Sequence, residues 1–443
     1  MSFSMNRRRF LATSAAGVLG AGAVLRPAPA SGQVLGANDR VRLGVIGTGR
    51  QGLGVMRGHM ALPDVEIAAV CDVYAPNLAL AAAAAPDAAQ VTDFRRIIDD
   101  KAIDAVIVAT PDHWHALQTV MACQAGKDVY VEKPTTVAVV EGRKMVEAAR
   151  KYDRIVQVGL QQRSAAHFQQ AVELIQGGRL GTISMVRCWN VGNSAPDGFG
   201  NPPDGDPPPG LDWDMWLGPA PKRPFNPNRF GVYPNVWSYF RYFWDYAGGM
   251  MTDWGVHLID IVHWAMKVDA PELVTAVGGT YAVKDNRETP DTLLATYTYP
   301  GFTMVYENRS ANGRAINGKG YGIEFYGSTA TMVIDRSGFE IVPEIRRTPG
   351  GEATPLGEPL AVKATPDDPT HARNFVDCVK SRRAPICDVE TGHRSSSAAM
   401  LGNLAFRSGD AVRWDRRTER IDGNRRAAEL LDVSYRRPWR LRV

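Results

Sequence analysis

Cysteine is scarce in this chain: five in 443 residues, at positions 71, 123, 188, 378 and 387, with no C-x-x-C pair. An odd, scattered set excludes a disulfide framework and supplies no thiolate metal site. Cys71 falls in an apolar run and Cys123 in a helical pattern, so buried thiols are expected. Beyond residue 30, no stretch approaches the ~20 apolar residues of a membrane-spanning helix. Excess charge is also lacking. The formal +4 comes from the first 30 residues, which hold Arg7, Arg8, Arg9 and Arg26 and no acid, and the remainder carries 47 basic against 47 acidic residues. A neutral chain offers no footprint for nucleic acid, and none is expected as a partner. With 44% apolar and 22% charged residues, the chain is globular rather than disordered or fibrous. Its length is about three times the guide for one domain, which points to two domains with appendages.

The N-terminus reads as an address. Arg7-Arg8-Arg9-Phe10-Leu11 is followed by a Gly/Ala-rich run to Leu25 and by Pro27-Ala28-Pro29-Ala30. A charged start, an apolar stretch too short for a span and an A-x-A-like site form a signal, predicted over residues 1–30. The arginine pair followed by Phe-Leu resembles a twin-arginine export signal. That implies the twin-arginine export machinery as a partner and a periplasmic or otherwise exported location.

The segment 41–46 is a short apolar strand. It runs into Gly47-Thr48-Gly49-Arg50-Gln51-Gly52, a G-x-G-x-x-G that opens a helix over 53–61. A second strand, 65–70, ends at Cys71-Asp72, so an acid lies twenty residues after Gly52. In this context the pattern predicts a dinucleotide site. Gly47 gives the tight turn, Gly49 lets backbone approach a pyrophosphate, and Gly52 lets helix and sheet pack closely. Asp72 would accept from the adenosine ribose and repel a 2′-phosphate, which favours NAD over NADP without excluding the latter. Further strands at 103–109, 128–131 and 155–159 alternate with helices at 114–125 and 137–151, the sign of a doubly wound parallel sheet. Thr110, His115, Lys133 and Gln161 all fall near strand ends and would line one crevice.

These motifs, with Thr110-Pro111, Ala125-Gly126-Lys127, Glu132-Lys133-Pro134 and Gly248-Gly249-Met250-Met251-Thr252-Asp253-Trp254-Gly255-Val256-His257, resemble the Gfo/Idh/MocA oxidoreductase family over residues 40–410. With the export signal, the chain is similar in outline to that family's exported glucose–fructose oxidoreductase branch. The resemblance implies a fold of class α/β. A Rossmann domain (38–160) precedes an α+β substrate and oligomerisation domain with a large open, mainly antiparallel sheet (161–370). Helices at 371–410 then pack back on the first domain, and an arginine-rich tail (411–443) is read as solvated or wrapping a neighbouring subunit. Alternating runs at 183–190, 273–281, 291–299, 303–309, 321–326 and 330–334 suit such a sheet. A homodimer or tetramer is expected. The family often has Asn where this chain has Asp112, and the Pro/Gly/Trp-rich insert 192–224 looks like a lid.

The resemblance implies NAD(P)-dependent oxidoreduction at a hydroxyl or ketone of a sugar, polyol or glycoside. Cofactor-binding residues would be Gly47, Thr48, Gly49, Arg50, Gln51, Gly52, Asp72, Thr110, Pro111, His115, Glu132 and Lys133. Lys133 would touch the reacting hydroxyl. Asp253, His257 and Asp260 fall at i, i+4 and i+7, the spacing of one helix face. His257 is the general acid/base candidate, with Asp253 orienting it or binding substrate and Asp260 behind them. Gln161, Gln162 and Arg163 reach toward substrate. The Arg163 guanidinium would bind a carboxylate or close a helix-start ion pair. The aromatic run 237–246 would stack on sugar or pack as core. A metal reading of the Asp253/His257/Asp260 face lacks H-E-x-x-H and cysteine, so no metal is expected. Export raises the prospect of a cofactor bound before translocation and then retained. Alternatives are a glycoside lyase or hydrolase using transient oxidation, a metal-dependent hydrolase, and a binding protein with a retained nucleotide fold.

Overall fold

The structure is a computed structural model that describes residues 40–232, 237–347, 349–365 and 370–443. The export signal read at residues 1–30 lies outside the described residues. No helix among them is long and apolar enough to cross a membrane.

Among the described residues, six strands build the first sheet: β1 (Val41–Ile46), β2 (Val65–Cys71), β3 (Ala89–Val91), β4 (Ala105–Val108), β5 (Asp128–Val131) and β6 (Val156–Val158). Their order is β3-β2-β1-β4-β5-β6 and every pairing is parallel. Helices on both faces bury β4 and β5 completely, which is why β4 reads as an unbroken apolar run. The strand order reverses between β1 and β4, so a crevice opens beyond their carboxyl ends. The short β3 and the helix Ala75–Ala84 before it lack a strong pattern and were not foreseen.

The second sheet contains β7 (Ile183–Val191), β8 (Leu273–Gly279), β9 (Thr292–Tyr299), β10 (Phe302–Arg309), β11 (Tyr321–Gly327), β12 (Ala330–Asp335) and β13 (Gly338–Pro343). After a small ribbon, β14 (Ile345–Arg347) and β15 (Ala353–Pro355), it is completed by β16 (Leu360–Lys363), β17 (Val412–Asp415) and β18 (Arg420–Asp422). Its order is β16-β13-β12-β11-β7-β10-β9-β8-β17-β18. All pairings are antiparallel except β7 with β10. β9 alternates buried and accessible residues, as a sheet with one covered face requires. The helices Gly255–Met266 and Val389–Ser408 lie on the covered side, and the second of these also packs on the helix Val139–Lys151 of the first sheet's layer.

The insert 192–224 shares a small core with the segment that follows it. Trp216, Phe225, Phe230, Phe240, Phe243 and Tyr246 pack together. The loop tip pairs with the segment after β2: Ala75 N donates to Gly210 O at 2.9 Å and Asp212 N to Val73 O at 2.9 Å. The Trp216 carbonyl accepts from Trp114 Nε1 at 2.9 Å, and His113 Nε2 lies 3.1 Å from it. Of the seven aromatics in 237–246, Phe240, Phe243 and Tyr246 are core, while Trp237, Tyr239 and Tyr242 line the cleft, with Phe240 touching both. The tail differs from the expected arm, because it is stitched onto its own chain. β17 extends the sheet beside β8, and the Trp439 ring lies 4.9 Å from Trp114. Arg436 donates to Gly218 O at 3.0 Å and pairs with Asp214 at 2.7 Å.

Candidate active site

The glycine loop is shaped by contact. Gly47 has φ +85°, and a Cβ there would sit 2.7 Å from Thr110 N, so only glycine brings the ends of β1 and β4 this close. A Cβ at Gly52 would sit 1.9 Å from Gly47 O. At Gly49 the nearest atom is Asn77 Nδ2 at 3.7 Å, which leaves open space beside the start of the helix Arg50–Met60. No side chain caps that helix. The open cradle and uncapped N–H groups fit a pyrophosphate.

Asp72 is 9% exposed and folded against this loop. Thr48 donates to its Oδ2 from both backbone N (2.8 Å) and Oγ1 (3.2 Å), and Tyr74 N donates to Oδ1 at 2.9 Å. Burial pushes its pKa up against these donors. Thr48 and Gly52 thus shape the site from behind rather than forming its wall, whereas Gly47, Gly49, Arg50 and Gln51 line it. The Arg50 guanidinium lies 4.4 Å from the Trp237 ring centroid across the opening.

The cleft has a volume of about 800 Å³, and its wall runs from Asp72 through Thr110, Pro111, Asp112, His115, Glu132 and Lys133 to Asp253 and His257. His115 is buried, with Nδ1 2.8 Å from Pro134 O and Nε2 2.8 Å from Thr110 O. It braces the loops after β4 and β5. Burial lowers its pKa to about 4, with these two contacts opposing. Glu132 Oε1 accepts from Gln51 Nε2 at 3.0 Å and from Gln161 Nε2 at 2.9 Å. Gln161 Nε2 also donates to Tyr130 Oη at 2.9 Å. The Gln161 amide nitrogen, expected to reach substrate, is engaged in holding Glu132. Burial raises the Glu132 pKa, with Lys133 and Gln51 opposing.

Lys133 donates from Nζ to Asp253 Oδ1 at 2.7 Å and to Asp253 O at 3.0 Å. Arg241 Nε donates to the same Oδ1 at 3.1 Å. Burial would push the Asp253 carboxyl up, but Lys133 and then Arg241 hold it well below the usual carboxylate range. Asp112 completes the cluster. Burial raises its pKa to about 7, with Arg241 and Lys133 opposing. His257 is 5% exposed, and its Nδ1 has no partner among the described residues. Burial, then Lys133 and Arg336, push its pKa far down, so this ring is neutral.

Two expectations are corrected here. Asp253, His257 and Asp260 do not share one helix face. The helix Gly249–Asp253 ends at Asp253, and a new helix starts at Gly255. Asp253 enters the cleft wall while Asp260 points away from it. Arg163 does not reach substrate either. Its Nε and Nη2 donate to Asp260 Oδ2 and Oδ1 at 2.7 and 2.8 Å, Ser395 Oγ adds a third donor at 2.8 Å, and Arg163 is absent from the cavity wall. The metal reading loses Asp260 for the same reason. Among the described residues no group of three His, Cys, Asp or Glu is placed to hold a metal. Sequence reasoning missed Arg241, a lone cation in an aromatic run, and Arg336, which is exposed after β12. The five cysteines are free and buried.

Two family models match this chain. One, described as oxidoreductase family, NAD-binding Rossmann fold, covers residues 41–160; the other, the oxidoreductase family's C-terminal alpha/beta domain, covers 198–308 and 358–441. The chain belongs to the Gfo/Idh/MocA oxidoreductase family. Its first sheet is that family's NAD-binding domain, and the open cradle at Gly49 and the buried Asp72 fit this cofactor. This Gfo/Idh/MocA chain is similar to the uncharacterized oxidoreductase YrbE of Bacillus subtilis, 24% identical over 66% of this chain and 73% of the relative. It is 33% identical to inositol 2-dehydrogenase 3 of Saccharopolyspora erythraea over 36% of this chain. That match spans 47% of the relative, about half its length. Among solved structures, the WlbA dehydrogenase of Bordetella pertussis, a complex with NADH and UDP-GlcNAcA, shares the fold with a TM-score of 0.63 at 20% identity. That likeness covers 85% of this chain and 99% of the other.

Proposed function

We propose that this oxidoreductase dehydrogenates a ring or chain hydroxyl of a sugar, polyol or glycoside, with NAD held by the Gly47–Gly52 loop, Asp72 and the wall from Thr110 to Lys133. The observation that carries the reading is the Lys133 ammonium, fixed by Asp253 at the cleft wall beside the unpartnered ring of His257. Two of its N–H groups go to Asp253. The remaining N–H is free to donate to the substrate oxygen. The neutral His257 ring accepts the hydroxyl proton, and the Lys133 charge stabilises the oxygen as its bond to that proton breaks. The bound nicotinamide supplies the two-electron acceptor for the carbinol C–H. Asp253 holds Lys133 oriented, and Glu132 with Gln161 fixes the loop that presents it.

The experiment is NADH formation at 340 nm by the full chain against a panel of sugars, polyols and glycosides, with bound nucleotide measured after denaturation. Turnover with at least one member, lost in Lys133→Met, is expected. A protein that neither binds NAD nor reduces it with any member would sink the reading. Cleavage of a glycoside without net NADH would redirect it to the transient-oxidation alternative.

Export and retention of the cofactor belong to the same proposal. Arg7-Arg8-Arg9-Phe10-Leu11 supports the twin-arginine route. The insert pairing beside Asp72 supports slow nucleotide release. Met185, Val277 and Leu294, exposed on the outward face of the second sheet, support self-association.

A further inference from the structure

The substrate end of the cleft holds polar groups that the protein itself leaves unanswered. Gln162 is 5% exposed, yet neither its amide nitrogen nor its carbonyl oxygen has a partner among the described residues. Buried amides are normally satisfied, so ligand atoms are the expected partners. Arg336 follows β12 and lies over the Trp254 ring, 4.9 Å from its centroid. Among the described residues its guanidinium forms no ion pair, because the adjacent Asp335 is taken by Ser337 and, at 3.1 Å, by Lys319. His167 links the two groups. Its Nε2 lies 3.0 Å from Asp335 O, which docks the helix following Gln162 onto the turn that carries Arg336. Gln162, Arg336 and His257 all line the same cavity.

The charge balance points the same way. Lys133 and Arg241 share the single carboxylate of Asp253, and Asp112 is the other acid nearby. Glu132 lies beside Lys133 on the far side, which leaves Arg336 as the cation of this wall without an acid of its own among the described residues. A guanidinium offers parallel N–H donors that match a planar carboxylate, and stacking on Trp254 fixes its plane. The guanidinium expected at Arg163 is thus supplied by Arg336 from the opposite domain.

We propose that the substrate carries a carboxylate on its ring, as a uronic-acid sugar or cyclitol acid does, received by the Arg336 guanidinium and the Gln162 amide. This rests on the dehydrogenase reading and names its substrate class. Gln162 and Arg336 are specificity residues.

The test is calorimetric binding to the full-length, NAD-loaded protein, using glucose against glucuronate, galactose against galacturonate, and glucose 6-phosphate. At low salt one uronate is expected to bind at least ten-fold tighter than its neutral partner. Arg336→Gln should abolish that preference. Gln162→Glu should weaken uronate binding more than ten-fold. Arg336 is exposed, so its variant carries the test even if Gln162→Glu does not fold. Four results would overturn the proposal: equal or tighter binding of the neutral partners, a preference that survives in Arg336→Gln, a phosphate ester that outcompetes the uronates, or no uronate bound. NADH formed from neutral sugars without a uronate preference removes only this inference. Uronate binding that never yields NADH removes only the dehydrogenase reading.

Discussion

Two ion pairs join the first sheet's layer to the segment 249–266, and they look alike in sequence. Lys133–Asp253 and Arg163–Asp260 both close at 2.7 Å, each linking a basic residue beyond a parallel strand to an acid of that segment, on either side of its break. Their surroundings differ. The Arg163 and Asp260 side chains are 9% and 1% exposed, with both carboxylate oxygens bonded. Lys133 and Asp253 are 12% and 17% exposed at the wall of a cavity, and the ammonium keeps a donor to spare. A saturated pair holds structure together, whereas an unsaturated pair has something left to offer a ligand.

The comparison breaks most sharply at Lys133. Lys133→Met should lower kcat by about 10³-fold with little change in Tm, since an acid–base and charge-stabilising group contributes on this order. Steady-state rates set beside a melting curve decide it. Arg163→Met should do the reverse. Leaving Asp260 buried and unpaired costs about 3–5 kcal/mol of stability, while kcat of the folded fraction stays within a few-fold. Denaturant titration would register the loss, and Arg163→Met with Asp260→Leu should recover most of it.

Asp112 sharpens the contrast because it sits on the open pair's side. Its pKa, raised to about 7 by burial, lets the folded protein hold a proton that the unfolded chain has lost. The contribution of Asp112 to wild-type stability therefore falls as pH rises from about 4 to about 7. Asp112→Asn removes this penalty, so its Tm advantage should grow across that window and then level off. An advantage independent of pH would contradict the placement. The smallest effect is expected from Ser395→Ala, which deletes one donor of the closed pair and should cost about 1 kcal/mol without altering KM.

The parallel sheet was legible because its central strands are buried and its glycine turn is chemically restrictive. The observed strands fall within two residues of the segments at 41–46, 65–70, 103–109 and 128–131. β3, half exposed and three residues long, carries too little pattern to see. At the site, Lys133, Asp253 and His257 could be nominated from their motifs. The break at Trp254 that separates Asp253 from the helix carrying His257 and Asp260 is tertiary, since no proline or cap in the sequence announces it. Arg336 was invisible for a related reason. It acts through the turn between β12 and β13, a turn that only strand pairing brings to the cleft.

The parallel pairing of β7 with β10 has a consequence for how the molecule is made. β7 ends at Val191, but the strands that flank it, β10 and β11, begin at Phe302 and Tyr321. As the chain leaves the ribosome, the glycine-loop sheet can close soon after residue 158. β7 must then wait, with both edges unpaired, while the insert and the β8–β9 hairpin are synthesised. Assembly of the second sheet is therefore late and non-local, and a chaperone that shields an orphan strand would act on this segment first.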